Sequence, residues 1–219
     1  MEGILTQNRF FENWYLTVKR CTDLLIALPA LFISIPLLLL IAFIVRLDSP
    51  GNPFFLQQRV GRNGSHFILI KFRTLFLEHF GLFTDQEAPH PYRVTRVGKY
   101  LRRYKLDEIP QFINIILGHM SVVGPRPDLP IHVENYLPHQ LERLQVRPGL
   151  TGLSQVSGNT QLSWPERIVL DIWYIRNKSW RLDAKIIVHT MVTVVIGETL
   201  KTDPFKVHRL LPGRENYKG

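Results

Sequence analysis

The sequence has very little cysteine, and Cys21 is the only one in 219 residues. A single thiol cannot form an intramolecular disulfide or a cysteine-based zinc site, so nothing in the sequence requires an oxidising compartment. The eight histidines are scattered without an HExxH pair, which argues against a histidine metal site. Repeats, low-complexity tracts and the helix-turn-helix, RNP and zinc patterns of nucleic-acid binding are also missing.

Acidic residues are in deficit, with 18 Asp and Glu against 27 Lys and Arg, a formal net charge of +9. This balance predicts an anionic partner, although charge alone does not choose among nucleic acid, a membrane surface and phosphorylated substrates. The chain is 45% hydrophobic with a mean hydropathy near zero, which is not the composition of a disordered protein. A sizeable packed domain is therefore expected.

One long stretch contains no charge at all. Residues 24–45 are apolar except for Ser34. This stretch is long enough to cross a bilayer and too long for a signal peptide. Basic residues flank both ends, and Pro36 lies near the middle, where proline kinks a helix. These features favour a membrane helix that breaks at Ser34 and Pro36 and returns to the same face. A tilted single span is the alternative.

The remainder of the chain predicts an α+β domain that is mainly helical. Two strand-like runs, 54–60 and 66–74, flank an Asn63-Gly64 turn signal and predict a small β-hairpin. Residues 75–91 have no clean period and predict a loop. Helices are expected at 97–104, at 108–117, from a Ser163-to-Glu166 capping box to 177, and from a cap at Asp183 to about 199.

Asp107 and Glu108 stand side by side in the most basic stretch of the chain. Asp107 precedes an apolar run with Pro110 in its first turn, which is typical of a helix N-cap. If both residues are helical, adjacent positions are turned about 100° apart, so the two carboxylates cannot share one task. The sequence leaves a structural cap and two separate chemical roles open.

Two loops, 121–127 and 147–152, each combine an arginine with glycine and proline. Glycine lets a backbone approach an anion, proline stiffens the loop, and the planar arginine fork matches phosphate oxygens. Two such loops, together with Lys71 and Arg73 at the end of a strand, favour a phosphorylated ligand over solvated turns.

A carboxylate pair beside phosphate-binding groups predicts chemistry at phosphorus. One carboxylate can attack phosphorus to form an acyl-phosphate, while the other acts as acid or base. Oxygen ligands favour Mg²⁺, which would shield the diphosphate from the attacking carboxylate. This set fits an activated sugar that meets a lipid phosphate at the bilayer surface. The alternative is a membrane-tethered basic module that binds anionic lipid or nucleic acid, although such a module has no use for the acidic pair.

The motifs that carry these features resemble those of the bacterial sugar transferases, the monotopic phosphoglycosyl transferases that begin capsule, O-antigen, exopolysaccharide and glycoprotein glycan assembly. The resemblance runs in order from residue 19 to 199. The matching stretches are KRCTDLL at 19–25, QQRVGRNG at 57–64, KFRT at 71–74, TRVGKYLRRYKLDEIPQFIN at 95–114, MSVVGPRP at 120–127, RPGLTGLSQVSG at 147–158, and Ser163-Trp164 leading to Asp171 and Tyr174.

The resemblance implies transfer of sugar-1-phosphate from a UDP-sugar to undecaprenyl (polyprenyl) phosphate, with release of UMP. It implies that Asp107 is the nucleophile, that Glu108 assists proton removal from the lipid phosphate, and that Mg²⁺ sits at the pair on Asp107. The implied phosphate contacts are Lys71, Arg102 and Arg126, and the further candidates for substrate binding are Arg73, Arg147, Thr151, Gln155 and Asp171.

The resemblance also implies a location and a domain organisation. The re-entrant helix places both termini and the catalytic domain on the cytoplasmic face of the bacterial inner membrane. The expected parts are an interfacial segment at 1–18, a re-entrant membrane helix-hairpin at 19–47, a catalytic domain at 48–200 and a tail at 201–219. A homodimer is left open. Departures from the family pattern at His119 and Asn159 bear on the sugar donor more than on the reaction, and the departure at Ile35 bears on the backbone hydrogen bond of the Ser34 hydroxyl at the membrane break.

Overall fold

A computed structural model describes residues 2–76, 94–196 and 205, with side chains from residue 15 onward except those of residues 160 and 196. Most of the loop predicted at 75–91 lies outside the described residues, as does the tail at 201–219 apart from Phe205. The domain boundaries predicted from the sequence remain predictions.

The chain begins with one long helix, α1, Glu2–Asp48, which continues through Pro29 and Pro36. Ser34 Oγ donates a hydrogen bond to the carbonyl of Leu31 at 2.9 Å. The residues on both sides of the expected break are therefore helical. A turn back to the same membrane face remains a proposal.

One face of α1 packs on the rest of the protein and the opposite face is bare. Asp23, Ala27, Ile41 and Val45 are buried at spacings that share one helix face. On the other face, Phe32 is 76% exposed. Within Tyr15–Asp48, an 18-residue window has a mean hydropathy of 2.8 and only 11% of it is buried, so by length and composition this part of α1 could cross a membrane.

A β-hairpin follows, with β1 at Phe54–Val60 and β2 at His66–Phe72. The strands are antiparallel, with Val60 opposite His66. Asn63 and Gly64 in the turn both have left-handed backbones, with φ of 55° and 78°, which explains the choice of Asn-Gly. The predicted hairpin is confirmed, although β2 ends two residues earlier than expected.

The rest of the domain is mainly helical, as the sequence predicted. Two short strands, β3 and β4, pair in parallel. The helices and strands are α2 Arg96–Arg103, α3 Gln111–Ile116, β3 Ser121–Val123, α4 Pro130–Glu134, β4 Gly149–Thr151, α5 Leu153–Val156, α6 Trp164–Asn177 and α7 Trp180–Ile196, with 3-10 turns at Leu106–Glu108, Pro138–Gln145 and Asn159–Gln161. The main core joins α1, β2, α3, β3, α5, α6 and α7 through side chains such as Ile115, Met120 and Leu170.

Of the three predicted helix caps, one is confirmed and two are wrong. Glu166 Oε2 accepts from the amide of Ser163 at 2.7 Å, which is the expected capping box of α6. Asp107 does not cap α3, which begins after Pro110 without a side-chain cap. Asp183 lies inside the first turn of α7, where the amide of Leu182 donates to Ser179 Oγ at 3.3 Å instead.

Both ends of the apolar part of α1 are fixed to this one domain. Near the start, Lys19 Nζ lies 2.5 Å from Asp183 Oδ2 in α7, and Asp23 Oδ1 accepts from Ser121 Oγ at 2.9 Å. Near the end, Val45 packs against Phe72 of β2 in a second, smaller core. The helix is therefore held at two places about one bilayer-crossing length apart.

Candidate active site

Asp107 and Glu108 lie in the 3-10 turn Leu106–Glu108, between α2 and α3. Lys105, just before this turn, has a left-handed backbone with φ of 55°, which turns the chain sharply out of α2. The pair is placed by this turn and not by a regular helix. Asp107 is 8% exposed.

One carboxylate oxygen of Asp107 makes no hydrogen bond. Within the described residues, Asp107 Oδ1 is buried without a partner, which is costly for an oxygen that can carry charge. Such an acceptor is able to receive a ligand or to take part in a reaction. Glu108 differs, because its Oε1 accepts from Arg126 Nη2 at 3.1 Å.

The electrostatic environment separates the two carboxylates. Burial and then the charge of Glu108 raise the pKa of Asp107, although Lys71, Lys105 and Arg102 oppose the shift. Burial also opposes ionisation of Glu108, but Arg126 and Lys105 outweigh it and lower the pKa of Glu108. Two adjacent acids whose pKa values move apart can take different roles in one reaction.

Three basic side chains lie close to the two carboxylates. Burial, together with Arg126 and Arg59, lowers the pKa of Lys71 to about 8. Arg102 Nε donates to Thr74 Oγ1 at 2.8 Å, and its charge acts on Asp107. The predicted phosphate contacts Lys71, Arg102 and Arg126 therefore all lie around the pair. A carboxylate with a free oxygen among cations suits attack on an anionic substrate.

The acidic pair offers one unpartnered carboxylate oxygen to a divalent cation. Among residues 15–76, 94–195 and 205, no cluster of three His, Cys, Asp or Glu side chains could hold a metal alone. Mg²⁺ commonly uses only one or two carboxylates and takes its other ligands from water and substrate phosphates. The unpartnered Oδ1 of Asp107 meets that requirement.

Three of the predicted substrate-binding residues make hydrogen bonds to other parts of the protein and not to the acidic pair. Arg73 is only 1% exposed and donates to the carbonyls of Ser49 and Pro50 at 2.5 and 2.7 Å, so it anchors the end of α1. Arg147 Nε donates to the carbonyl of Gly118 at 3.0 Å, at the far end of α3. The prediction for Arg73 is corrected, because main-chain carbonyls take both of its terminal nitrogens; Arg147 uses only its Nε in this way, and its substrate-binding role stays a prediction.

The prediction for Asp171 is corrected as well. It is 1% exposed and accepts from Arg143 Nε and Nη2 at 3.0 and 2.8 Å and from Ser154 Oγ at 2.8 Å. With these contacts and almost no exposure, the carboxylate is not accessible to a substrate. Asp171 belongs to a buried polar network that holds the domain together.

That network also contains Asp128 and Arg143, which the sequence did not single out. Asp128 accepts from Tyr136 OH at 2.9 Å and from Arg143 Nη1 at 3.2 Å. Burial opposes its ionisation, but Arg143 outweighs this and lowers the pKa of Asp128 to about 2. Arg143 Nη2 also donates to the carbonyl of Arg126 at 3.1 Å, which supports the loop that brings Arg126 to Glu108.

The glycines of the two predicted phosphate loops serve packing between strands. A Cβ at Gly149 would lie 2.1 Å from the amide nitrogen of Gly124, and a Cβ at Gly152 would lie 2.2 Å from the carbonyl of Gly124. Both glycines allow the two backbones to touch. The two loops pack on each other, and only Arg126 of their two arginines reaches the acidic pair.

An apolar cavity of about 350 Å³ adjoins Glu108. Its wall includes Ile26 of α1, Phe112 of α3 and Met191 of α7, and the predicted residues Thr151 and Gln155 line its polar part. Thr151 Oγ1 lies 2.7 Å from Thr190 Oγ1, while Gln155 Oε1 is buried without a hydrogen bond in the described part of the chain. The cavity joins an apolar surface to a charged centre.

Comparisons with known proteins identify the family of the chain. The sequence model of the family "Bacterial sugar transferase" matches residues 14–197. The UDP-glucose:undecaprenyl-phosphate glucose-1-phosphate transferase of Xanthomonas campestris pv. campestris is 39% identical over 197 residues, covering 86% of this chain and 41% of that protein. The UDP-N-acetylgalactosamine-undecaprenyl-phosphate N-acetylgalactosaminephosphotransferase of Aeromonas hydrophila is 38% identical over 84% of this chain and 45% of that protein.

A shorter relative is covered almost completely. The exopolysaccharide production protein ExoY of Rhizobium meliloti is 39% identical over 195 residues, or 82% of this chain and 86% of that protein. The chain thus spans less than half of the Xanthomonas and Aeromonas proteins but most of the Rhizobium protein.

Proposed function

The chain belongs to the bacterial sugar transferase family, and from that premise we propose that it transfers sugar-1-phosphate from a UDP-sugar to undecaprenyl phosphate and releases UMP. The reaction would be the initiating step of exopolysaccharide or related glycan synthesis. The observation that carries the proposal is the orphaned Oδ1 of Asp107, which is buried beside the cations Lys71 and Arg102.

In the first half-reaction, Asp107 attacks the β-phosphorus of the UDP-sugar. A bond forms between a carboxylate oxygen and phosphorus, and the bond from phosphorus to the bridging oxygen breaks as UMP leaves. Lys71, Arg102 and Arg126 would bind the diphosphate oxygens and stabilise the charge that develops on them. When bound, Mg²⁺ would supply further neutralisation of the diphosphate at Asp107.

In the second half-reaction, an oxygen of the lipid phosphate attacks the same phosphorus and releases Asp107. Glu108 takes the proton from the lipid phosphate, and its lowered pKa keeps the side chain ionised and so able to accept a proton. The apolar cavity beside Glu108 is lined in part by Ile26 of the apolar helix and would offer a place for the first prenyl units.

The contacts that hold the two ends of the apolar part of α1 support a re-entrant course, in which the helix leaves the membrane on the side from which it entered. A helix that crosses a bilayer has its two ends on opposite sides, so an aqueous domain can hold only one of them. Here Asp23 and Val45 both pack on the same domain. We therefore propose that α1 enters and leaves on the cytoplasmic face of the inner membrane.

Labelling of single cysteines tests this course. In a Cys21→Ser background, cysteines placed at Glu2 and at Lys218 should react with an impermeant thiol reagent from the same side of the membrane. A pattern in which the two positions react from opposite sides would exclude the re-entrant course.

A donor screen tests the reaction. Purified full-length chain, undecaprenyl phosphate and Mg²⁺ are combined with a panel of UDP-sugars, and UMP release is measured. The relatives named for glucose and for N-acetylgalactosamine make these two sugars the first donors to test. If no donor gives lipid-dependent UMP release, the transferase proposal fails.

The covalent step has its own test. With donor and Mg²⁺ but without lipid, the proposal predicts about one UMP per active enzyme and a sugar-phosphate adduct on Asp107, because the first half-reaction needs no acceptor. Mass spectrometry of the peptide spanning Lys105–Gln111 locates the adduct. An adduct on Glu108 would reverse the two roles.

A further inference from the structure

We propose that Asn114 is a positioning residue for the transfer reaction, because its side-chain amide sets the distance between Lys71 and the Asp107–Glu108 pair. The inference rests on the proposed function of that pair. Asn114 lies in α3 and is fully buried, so its side chain does not itself touch the substrate.

The amide of Asn114 takes the place of a peptide group from a third strand. Its Oδ1 accepts from the amide of Ile70 at 3.0 Å, and its Nδ2 donates to the carbonyl of Ile68 at 2.7 Å. β2 has β1 along one edge, and in the described residues no strand pairs along its other edge. Because the two bonds use the oxygen and the nitrogen separately, the amide cannot rotate or slip by one residue.

This one side chain links the two halves of the candidate active site. Lys71 directly follows Ile70 on β2, and the Asp107–Glu108 turn leads directly into α3. A shift of α3 along β2 would therefore move the carboxylates away from Lys71. The far end of α3 is held as well, because Arg20 Nη1 and Nη2 donate to the carbonyls of Ile115 and Ile116 at 2.6 and 2.8 Å.

Packing alone does not account for an amide at this position. The neighbouring core residues, including Leu69, Ile115 and Met120, are apolar, and a buried amide is unfavourable unless all its hydrogen bonds are made. The observed bonds give both the oxygen and the nitrogen of the amide a partner and fix a single register, which an apolar side chain of the same size would leave unspecified.

Substitution of Asn114 by alanine tests the inference in the full-length protein with the donor identified by UMP release. Asn114→Ala should lower kcat about 100-fold, the effect of a misplacement near 1 Å, and change the donor KM by less than about threefold. The matched control is Gln140→Ala, which removes another buried side-chain amide; its Oε1 accepts from the backbone amide of Leu137 at 2.8 Å in the 3-10 turn Pro138–Gln145. At equal folded fraction by circular dichroism, Gln140→Ala should keep kcat within about threefold.

A double-mutant cycle distinguishes positioning from general stability. If Asn114 acts through Lys71, Asn114→Ala should cost less than about threefold further in a Lys71→Ala background, whereas Gln140→Ala should be additive. Should Asn114→Ala fail to fold, Asn114→Asp enters the same cycle, since it keeps the acceptor for Ile70 and loses the donor to Ile68.

Each outcome decides one question. Turnover by the wild-type protein in the same assay tests the proposed function by itself. With turnover present, full additivity of Asn114→Ala and Lys71→Ala, or equal kcat losses for the Asn114 and Gln140 variants, would overturn the positioning role alone. Strong coupling at Asn114 with none at Gln140 supports it.

Discussion

Two sites in this protein combine a pair of carboxylates with an arginine, and they differ in how far their hydrogen bonds are satisfied. Around Arg143, the carboxylates of Asp128 and Asp171 accept bonds from the guanidinium and from neighbouring hydroxyls. At the acidic turn, Arg126 reaches Glu108, while one oxygen of Asp107 has no hydrogen bond among the described residues.

The difference indicates which pair is structural and which is chemical. A saturated buried network fixes positions and offers nothing to a ligand, whereas a buried oxygen without a partner is unstable until a substrate, a cation or a covalent bond engages it. The two sites are also connected, because Arg143 holds the carbonyl of Arg126 and so supports the loop beside Glu108.

The largest expected effect comes from Asp107→Asn. This change should lower UMP release at least about 1,000-fold and abolish the adduct, because an amide does not attack phosphorus. It should not lower the midpoint of thermal unfolding, since no hydrogen bond of Oδ1 is lost. Both quantities are measured on the same preparation. Adduct formation by Asp107→Asn would show that Asp107 is not the nucleophile, and the two carboxylate pairs would then not differ in role.

The converse is expected for Asp171→Asn. Loss of one partner leaves Arg143 buried without its main counter-charge, so the free energy of unfolding should fall by about 3–5 kcal/mol. Denaturant unfolding in detergent measures this loss. The folded fraction should still form the adduct on Asp107. Glu142→Gln, which breaks the exposed pair with Arg176, is the control and should leave stability unchanged. An inactive but fully stable Asp171→Asn would contradict the structural role.

The smallest effect is a pH dependence carried by Lys71. Its pKa of about 8 means that the ammonium is present below pH 8 and is lost as the pH rises through that value. The rate of UMP release without lipid should therefore decline above pH 8, by up to about tenfold per unit. Lys71→Arg keeps its charge and should remove this decline up to about pH 10. An unchanged alkaline limb in Lys71→Arg would assign the titration to another group.

Much of the local structure could be predicted because its causes are local. Asn63-Gly64 specifies the hairpin turn through left-handed backbones, and the Ser163-to-Glu166 box starts α6 with contacts only three residues apart. The same holds for the uncharged stretch of α1, since length and composition alone make it a candidate for membrane insertion.

The carboxylate pair was also visible in the sequence, but its geometry was not. The prediction that Asp107 caps α3 is wrong because a left-handed Lys105 and Pro110 set the pair in a separate 3-10 turn. That turn leaves Asp107 Oδ1 without a local amide, which is the feature that supports its chemical role.

The sequence by itself determined which groups could bind phosphate, and only the tertiary structure decided which of them reach the acidic pair. Arg126 lies at the pair, whereas Arg73 and Arg147 donate to main-chain carbonyls of Ser49 and Gly118. The physical reason is competition for donors. A buried carbonyl needs a partner as much as a phosphate does, and the carbonyls that come within reach of a given guanidinium are set by long-range packing that residue type and spacing do not record.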